Sequence, residues 1–221
     1  MSDVAARRLA LPALCLVTDR HLCGEHRLAE VVAATVAGGA TMVQLREKDL
    51  PAGELYALGR QLRPLATGRC ALVVNDRLDV ALACRADGVQ LGATALPLAE
   101  ARRLGGPALL LGRSVHSVAE AIAAEREGAD FLILGTIYAT RSHPGQAPAG
   151  PGLVASVRAA VRLPIIAIGG IDRSNLAEVM AAGADGVAVI SALLAAPDPR
   201  ASAASLAAAL EAGWHKNREK A

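Results

Sequence analysis

The chain has 221 residues, of which 53% are hydrophobic and 20% charged, and its formal net charge at pH 7 is +2. This length suits one domain, and the composition excludes an intrinsically disordered chain. Aromatic residues make up only 2% and no basic run stands out, which argues against a nucleic-acid partner because single-strand binders use aromatic platforms on basic surfaces. No apolar stretch has membrane-spanning length and the N-terminus lacks a signal-peptide core, so we expect a cytoplasmic protein without a membrane partner.

Eight short apolar runs alternate with Ala-rich segments along the chain. Each run is continuous, as expected for parallel strands covered on both faces. In chain order they are Ala13–Thr18, Thr41–Leu45, Ala71–Val74, Gly88–Leu91, Ala108–Gly112, Phe131–Ile137, Pro164–Ile168 and Gly186–Ile190. The segments with helical periodicity between them include Leu28–Ala37, Val118–Arg126 and Asn175–Ala182. Eight strand–helix units predict an α/β protein with a closed (β/α)8 TIM barrel, and an open doubly wound sheet is the competing architecture.

We expect the barrel to form a single domain over residues 1–221. Its core should cover about residues 13–199, with a last helix and a charged tail at 199–221, because no low-complexity linker divides the chain. The four cysteines lack metal-ligand spacing and most lie in or beside apolar runs, which predicts buried free thiols. They are Cys15, Cys23, Cys70 and Cys84.

Polar residues follow the second predicted strand, from Gln44 to Lys48. Catalytic residues of a barrel belong at this end of its strands. The period of two along a strand places Gln44, Arg46 and Lys48 on one face, where two cations and an amide predict a grip on a carboxylate or another anion. The alternative is a set of rim charges paired with Glu47 and Asp49.

Two further strand ends carry polar pairs. Asn75 and Asp76 follow the third strand and could orient a substrate, bind a metal or cap the next helix, and the residue types alone favour the cap. The fifth strand carries Ser114 and His116 on one face. Histidine is readily poised for proton transfer near neutral pH, so we predict a catalytic His116. Ser117 is a candidate N-cap of the helix that follows.

The connection after the sixth strand, residues 138–152, is long and rich in Gly, Pro and Ser. It indicates an ordered substrate loop, with an ordinary solvated loop as the open alternative. Its candidate ligand contacts are Thr140, Ser142 and His143.

Glycines after the seventh strand and a small residue at the helix after the eighth are typical of the phosphate site of this fold. Backbone N–H groups at a helix N-terminus bind a dianion without needing a cation. The predicted phosphate-binding residues are Gly152, Gly170, Ile190 and Ser191.

Six stretches taken together resemble the superfamily of thiamine phosphate synthase and thiazole tautomerase, over about residues 14–199. They are Val43–Lys48, Val74–Arg77, Ala86–Gly92, Gly112–Ser117, Ala167–Ile171 and Ala184–Ser191. The resemblance implies a TIM-barrel enzyme of thiamine biosynthesis whose small-molecule partner is a thiazole phosphate, and a homodimer is a further expectation. It implies substrate binding by Gln44, Arg46, Lys48, Asn75, Ser114, Thr140, Ser142 and His143.

The synthase of this superfamily joins a pyrimidine pyrophosphate to the thiazole phosphate. The resemblance implies Mg²⁺ held by Asp76 and by a second Asp three residues after the glycine of strand 4, where this chain has Ala95. His143 occupies the place of a family Lys. Because two groups that would stabilise pyrophosphate are missing, we predict instead the thiazole tautomerase, an isomerase that needs no metal or cofactor.

In that prediction His116 transfers the ring proton, Gln44 and Arg46 hold the carboxylate, and the backbone at Gly170 and Ser191 holds the phosphate. The Mg²⁺-dependent synthase is the alternative, because Lys48, Asn75, Asp76 and Ser114 match its substrate-binding positions. A second alternative is a non-catalytic regulator that binds thiazole phosphate, and a third is an unrelated phosphate-ester isomerase of the same fold.

Overall fold

Eight parallel strands close into a barrel in the order β1 to β8, each hydrogen-bonded to the next and β8 to β1. The computed structural model describes residues 9–24, 27–140 and 147–218. The strands are β1 (Ala13–Val17), β2 (Met42–Leu45), β3 (Ala71–Asn75), β4 (Gly88–Leu91), β5 (Leu110–Val115), β6 (Phe131–Leu134), β7 (Ile165–Ile168) and β8 (Gly186–Val189). The predicted TIM barrel is therefore confirmed.

The helices surround the barrel. They are α1 (Leu28–Ala37), α2 (Ala52–Leu62), α3 (Leu78–Ala83), α4 (Leu98–Gly105), α5 (Val118–Arg126), α6 (Pro151–Ala160), α7 (Leu176–Ala181), α8 (Ser191–Leu194) and α9 (Pro199–Arg218), with a 3-10 turn at Arg20–Leu22. The predicted bounds of α1 and α5 agree with the structure. Ser117 caps α5 as predicted, because its side chain accepts the N–H of Glu120.

The fifth and sixth strands differ from the predicted bounds. Strand β5 runs beyond Gly112 through Arg113 and Ser114 to Val115, while β6 ends at Leu134 and not at Ile137. The reason is pairing: Ser114 lies beside Ile133 and Val115 beside Leu134 in the parallel register. Polar residues continue a strand when a neighbouring strand takes their backbone hydrogen bonds.

The core has two layers because successive strand residues point to opposite faces. Leucine and valine side chains such as Leu14, Leu16 and Val43 fill the space between strands and helices. A smaller group fills the inside of the barrel: Ala13, Cys15, Val17, Met42, Val73, Leu110, Phe131, Ile133, Ile166 and Ala188. All four cysteines are buried and free, as predicted.

The N-terminal end of the barrel carries a repeated ion pair. An Asp just before β4, β6 and β8 accepts the backbone N–H of a residue at the start of the preceding strand and pairs with an Arg from an outer helix or its C-cap. The pairs are Arg63–Asp87, Arg102–Asp130 and Arg158–Asp185. This end of a TIM barrel serves stability, so the repeat holds strands and helices together away from the site.

Helix α9 is an integral part of the barrel wall. It packs against α1 and α7 and buries Ala203, Leu206 and Leu210. A Cβ on Gly38 would lie 2.4 Å from the carbonyl oxygen of Arg200, so only glycine allows the end of α1 to approach α9 this closely. Among the described helices none is long and apolar enough to cross a membrane.

Candidate active site

A cavity of about 750 Å³ opens at the carboxyl ends of the strands. This is within the usual range for a small-molecule site. Most of the predicted site residues line it: Gln44, Arg46, Lys48, Asn75, Asp76, Ser114, His116, Thr140, Gly170, Ile190 and Ser191. Gly152, in the first turn of α6, is not among the lining residues, and Ser142 and His143 lie outside the described part of the chain.

A chain of hydrogen bonds crosses the floor of the cavity. Gln44 Nε2 donates to Asn75 Oδ1 at 2.9 Å, and Asn75 Nδ2 donates to Asp76 Oδ2 at 2.9 Å. The other oxygen of Asp76 accepts the N–H of Gly92 at 2.7 Å. Both carboxylate oxygens are therefore held, which presents a fixed negative charge to the cavity.

The predicted helix cap by Asn75 or Asp76 is wrong. Helix α3 has Arg77 at its N-cap, without a side-chain hydrogen bond. Asp76 has a φ of 58°, in the left-handed region where Asp is less strained than most side chains but where Gly is favoured. This backbone turn directs the carboxylate to Gly92 and the barrel mouth, away from the helix. A strained residue that could have been glycine indicates that the carboxylate is needed.

The two cations after β2, Arg46 and Lys48, line the cavity. Their acidic neighbours do not pair with them, because those neighbours bind another residue. Glu47 and Asp49 both pair with Arg20, at 3.1 and 2.5 Å, and the Arg20 hydrogen bonds hold the pKa of Asp49 well below its usual value. Within the described ranges, Arg46 and Lys48 form no ion pair. The rim-charge alternative is therefore not what the structure has, and the half-buried Arg46 is available to an anion.

The imidazole of His116 is held at the rim. Its Nδ1 lies 2.5 Å from the carbonyl oxygen of Gly135, and because a carbonyl only accepts, Nδ1 carries a proton. The backbone N–H of His116 donates to Glu120 Oε2 at 2.7 Å. The exposed ring thus has a fixed orientation beside the cavity.

The loops after β7 and β8 form the opposite wall. Gly170 has a φ of +59°, and a Cβ there would lie 2.4 Å from the carbonyl oxygen of Ala139. Glycine is required for both reasons, and it lets the loop after β6 pack against the loop after β7. Gly170, Ile190 and Ser191 line the same cavity, which is the arrangement expected of a backbone phosphate site.

Sequence reasoning missed Gln90. This residue of β4 is 0% exposed, and its Nε2 donates to Ser114 Oγ at 3.0 Å. The signal was available in the sequence, because a glutamine within an otherwise apolar strand needs a partner.

Among the described residues two carboxylates line the cavity: that of Asp76, and that of Asp172 on the wall after β7, whose Oδ1 accepts hydrogen bonds from Ser174. Within the described residues no group of three or more His, Cys, Asp or Glu side chains could form a metal site. Ala95 packs against the core between strands and helices. Mg²⁺ usually keeps several waters and binds through one or two carboxylates plus substrate phosphates, so Asp76 fits this ion when a pyrophosphate supplies the remaining oxygens.

Comparison with known proteins identifies close relatives over nearly the whole chain. Residues 14–193 match the family model described as thiamine monophosphate synthase. Thiamine-phosphate synthase of Methanospirillum hungatei is 46% identical over 88% of this chain and 95% of its own length. That of Moorella thermoacetica is 49% identical over 87% and 93%. The solved thiamine phosphate pyrophosphorylase from Pyrococcus furiosus superposes with a TM-score of 0.83 and 39% identity, covering 91% of this chain and 96% of that one.

These relatives overturn the predicted tautomerase. Their names are those of a transferase, so the predicted isomerase reaction, with its proton transfer on the thiazole ring, is wrong. A catalytic role for His116 stays a prediction. The expectation that no metal is needed belonged to the tautomerase and falls with it. The error lies in the weight placed on Ala95, because one carboxylate and the substrate's own phosphates can suffice for Mg²⁺. The superfamily resemblance itself is confirmed, and the chain belongs to the thiamine monophosphate synthase family.

Proposed function

We propose that the protein is a thiamine-phosphate synthase that joins hydroxymethylpyrimidine pyrophosphate to thiazole phosphate and releases pyrophosphate. The observation that carries the proposal is the match to full-length synthases together with the Asp76 carboxylate fixed at the cavity floor. In this reaction the bond between the pyrimidine methylene carbon and the pyrophosphate oxygen breaks, and the thiazole nitrogen bonds to that carbon.

The leaving pyrophosphate accumulates negative charge, and neutralising it is the main task of the site. Arg46 and Lys48 face the cavity on the side of β2, next to Asp76. When bound, Mg²⁺ acts as a Lewis acid on the pyrophosphate oxygens, and Asp76 is the side chain that would hold it. Arg46, half-buried, binds the anion with its planar fork of donors.

The thiazole phosphate takes the opposite wall. The cavity is lined after β7 and β8 by Gly170, Ile190 and Ser191. Backbone N–H groups at the corresponding positions bind a phosphate in other TIM barrels. Thr140, Ser142 and His143 belong to the loop after β6, and we keep them as substrate contacts. Gly152 stays a predicted phosphate contact, although it does not line the cavity.

The amides of Gln44 and Asn75 meet at the floor, between the two walls. Their mutual hydrogen bond fixes the orientation of both amides. Amides at this position suit a pyrimidine, whose ring nitrogens accept hydrogen bonds and whose amino group donates them.

A coupling assay on the purified protein tests the proposal, with Mg²⁺ and then with a chelator. We expect thiamine phosphate to form from the two substrates with Mg²⁺ and not with the chelator. Binding of thiazole phosphate without any product would overturn the proposal in favour of a regulator. The expected homodimer stays a separate prediction, which sedimentation measures.

A further inference from the structure

We propose that Gln90 is a positioning residue that directs the hydroxyl of Ser114, so that Ser114 donates its proton to an anionic oxygen of the substrate pyrophosphate. The inference rests on the proposed function for the identity of the anion. Gln90 itself does not line the cavity, whereas Ser114 does.

The side chain of Gln90 points to the inside of the barrel and is closely confined. Its strand neighbours Val89 and Leu91 pack in the layer between strands and helices, so the alternation of a strand turns Gln90 inward. A Cβ on Gly112 would lie 1.9 Å from Gln90 Oε1 and 2.4 Å from Phe131 Cζ. Gly112, directly beside Gln90 in the register, therefore leaves the space that this amide fills.

One end of the amide is bonded and the other is not. Gln90 Nε2 donates to Ser114 Oγ at 3.0 Å. Gln90 Oε1 is buried without a hydrogen-bond partner among the described residues. Ser114 Oγ is therefore the acceptor in this hydrogen bond.

The direction of this hydrogen bond determines what Ser114 can do. A hydroxyl has one proton to donate and can also accept. Because the amide N–H donates to Oγ, the proton of Ser114 is available to another acceptor, and the open side of Ser114 is the cavity. An anionic oxygen is the acceptor that strengthens such a bond most.

The position of Ser114 in the barrel selects the pyrophosphate. Ser114 Oγ accepts the amide of Gln90 in β4, and Asp76 Oδ1 accepts the N–H of Gly92, the residue directly after β4. The residues proposed for the thiazole phosphate follow β7 and β8. The same strand therefore holds the hydroxyl and the carboxylate that would bind the metal and its pyrophosphate.

The buried Oε1 of Gln90, without a hydrogen-bond partner among the described residues, lowers the stability of the protein. A purely structural role would therefore not explain why this position holds a glutamine. Gln90→Met has a similar length and no buried polar atom. We expect it to unfold at the same temperature as the wild type or higher, yet to lower kcat by about 5- to 10-fold, the weight of one neutral hydrogen bond. The KM for thiazole phosphate should not change.

The matched control is Thr35→Val. Thr35 Oγ1 is also buried without a partner in the described ranges, but it lies in α1, away from the cavity. Its removal should affect thermal unfolding in the same direction and leave kcat unchanged.

A double-mutant cycle tests whether Gln90 acts through Ser114. Ser114→Ala should lower kcat by about 10²-fold, as loss of a transition-state donor does, and adding Gln90→Met should lower it no further. The inference would be overturned if the double variant lost kcat by the product of the two single losses, or if Gln90→Met kept the kcat of the wild type.

Calorimetric titration with Mg²⁺ and inorganic pyrophosphate gives a readout that does not depend on coupling. Both single variants should weaken binding by about fivefold, and the double variant no more. If the wild type binds pyrophosphate but makes no product, the proposed function is wrong. The Gln90 inference is then tested by the pyrophosphate affinities alone. Equal affinities in wild type and Gln90→Met would reject it.

Discussion

The carboxylate of Asp76 accepts the N–H of Gly92 at 2.7 Å, which ties the end of β3 to the end of β4. A Cβ on Gly92 would lie 3.3 Å from that same oxygen, so glycine permits the close approach. The charge of Asp76 is thus placed by backbone geometry and not by a flexible side chain, as a preorganised metal site requires.

Asp76→Asn should keep the fold and lose activity. Asn tolerates a positive φ as well as Asp does, but it carries no charge to hold Mg²⁺. We expect coupling to slow by about 10²-fold, with a higher Mg²⁺ concentration needed for half-maximal rate. A Mg²⁺ titration of the coupling rate measures both. Asp79→Asn is the control, since Asp79 is exposed and pairs with Arg77. An unchanged Mg²⁺ requirement in Asp76→Asn would show that this residue does not hold the ion.

Arg46→Met should weaken the grip on the pyrophosphate. Arg46 is half-buried and lines the cavity, whereas Lys48 is exposed, and a charged hydrogen bond is stronger where water is excluded. We expect the KM for the pyrimidine pyrophosphate to rise by about 10- to 100-fold in Arg46→Met, and by less in Lys48→Met. Steady-state kinetics with each substrate varied in turn makes the comparison. A larger effect of Lys48→Met would reverse the assignment of the two cations.

Gly170→Ala should disturb both folding and phosphate binding. A Cβ would meet the carbonyl oxygen of Ala139 at 2.4 Å in a backbone with φ +59°. We expect a loss of about 1–3 kcal/mol in the free energy of unfolding and a higher KM for thiazole phosphate. Gly68→Ala is the matched control, because Gly68 has φ +61° and nothing within 4 Å of its Cβ position. Equal effects of the two substitutions on KM would indicate that the wall formed by Gly170 does not contact the phosphate.

Arg158→Met should destabilise the protein in a pH-dependent way. Arg158 Nη1 lies 2.8 Å from Asp185 Oδ2, and burial raises the pKa of Asp185 while Arg158 opposes that rise. Removing the cation raises the pKa of Asp185 further. The charge-dependent part of the loss of stability is therefore full above that raised pKa and disappears as the pH falls and Asp185 takes up a proton in both proteins.

We expect Arg158→Met to lower the free energy of unfolding by about 2–4 kcal/mol at pH 7 and by much less near pH 4. Urea unfolding at both pH values measures this. Arg103→Met, which removes an exposed pair with Glu100, should cost less than about 1 kcal/mol at either pH. A pH-independent loss in Arg158→Met would mean that packing of the Arg side chain, and not its charge, supports Asp185.

Part of the site was readable from the sequence because strand ends of a barrel meet at one rim. Polar residues placed directly after apolar runs, such as Arg46, Asp76 and His116, could be assigned to one cavity without knowing any contact. The partners of these residues could not be assigned. Glu47 and Asp49 bind Arg20, which leaves Arg46 to the cavity. These pairs depend on a residue 27 and 29 positions away in the chain.

The sequence was also insufficient to choose between the synthase and the tautomerase reactions. The sequence displays the loss of a carboxylate at Ala95, but the number of ligands that Mg²⁺ needs depends on what the bound substrate contributes. Counting missing side chains therefore led to the tautomerase, and the relatives led to the synthase.

By itself the sequence determined the alternation of strands and helices, the closed barrel that follows from it, and the bounds of helices such as α5. These depend on local hydrophobic periodicity and on caps such as Ser117, which act within a few residues. Tertiary structure alone decided where β5 ends, which way the Asp76 carboxylate turns and which side chain the Gln90 amide contacts. The end of β5 depends on its pairing with β6. The Asp76 carboxylate depends on the N–H of Gly92, and the Gln90 amide on the hydroxyl of Ser114. Such contacts arise only when the barrel closes and brings distant parts of the chain together.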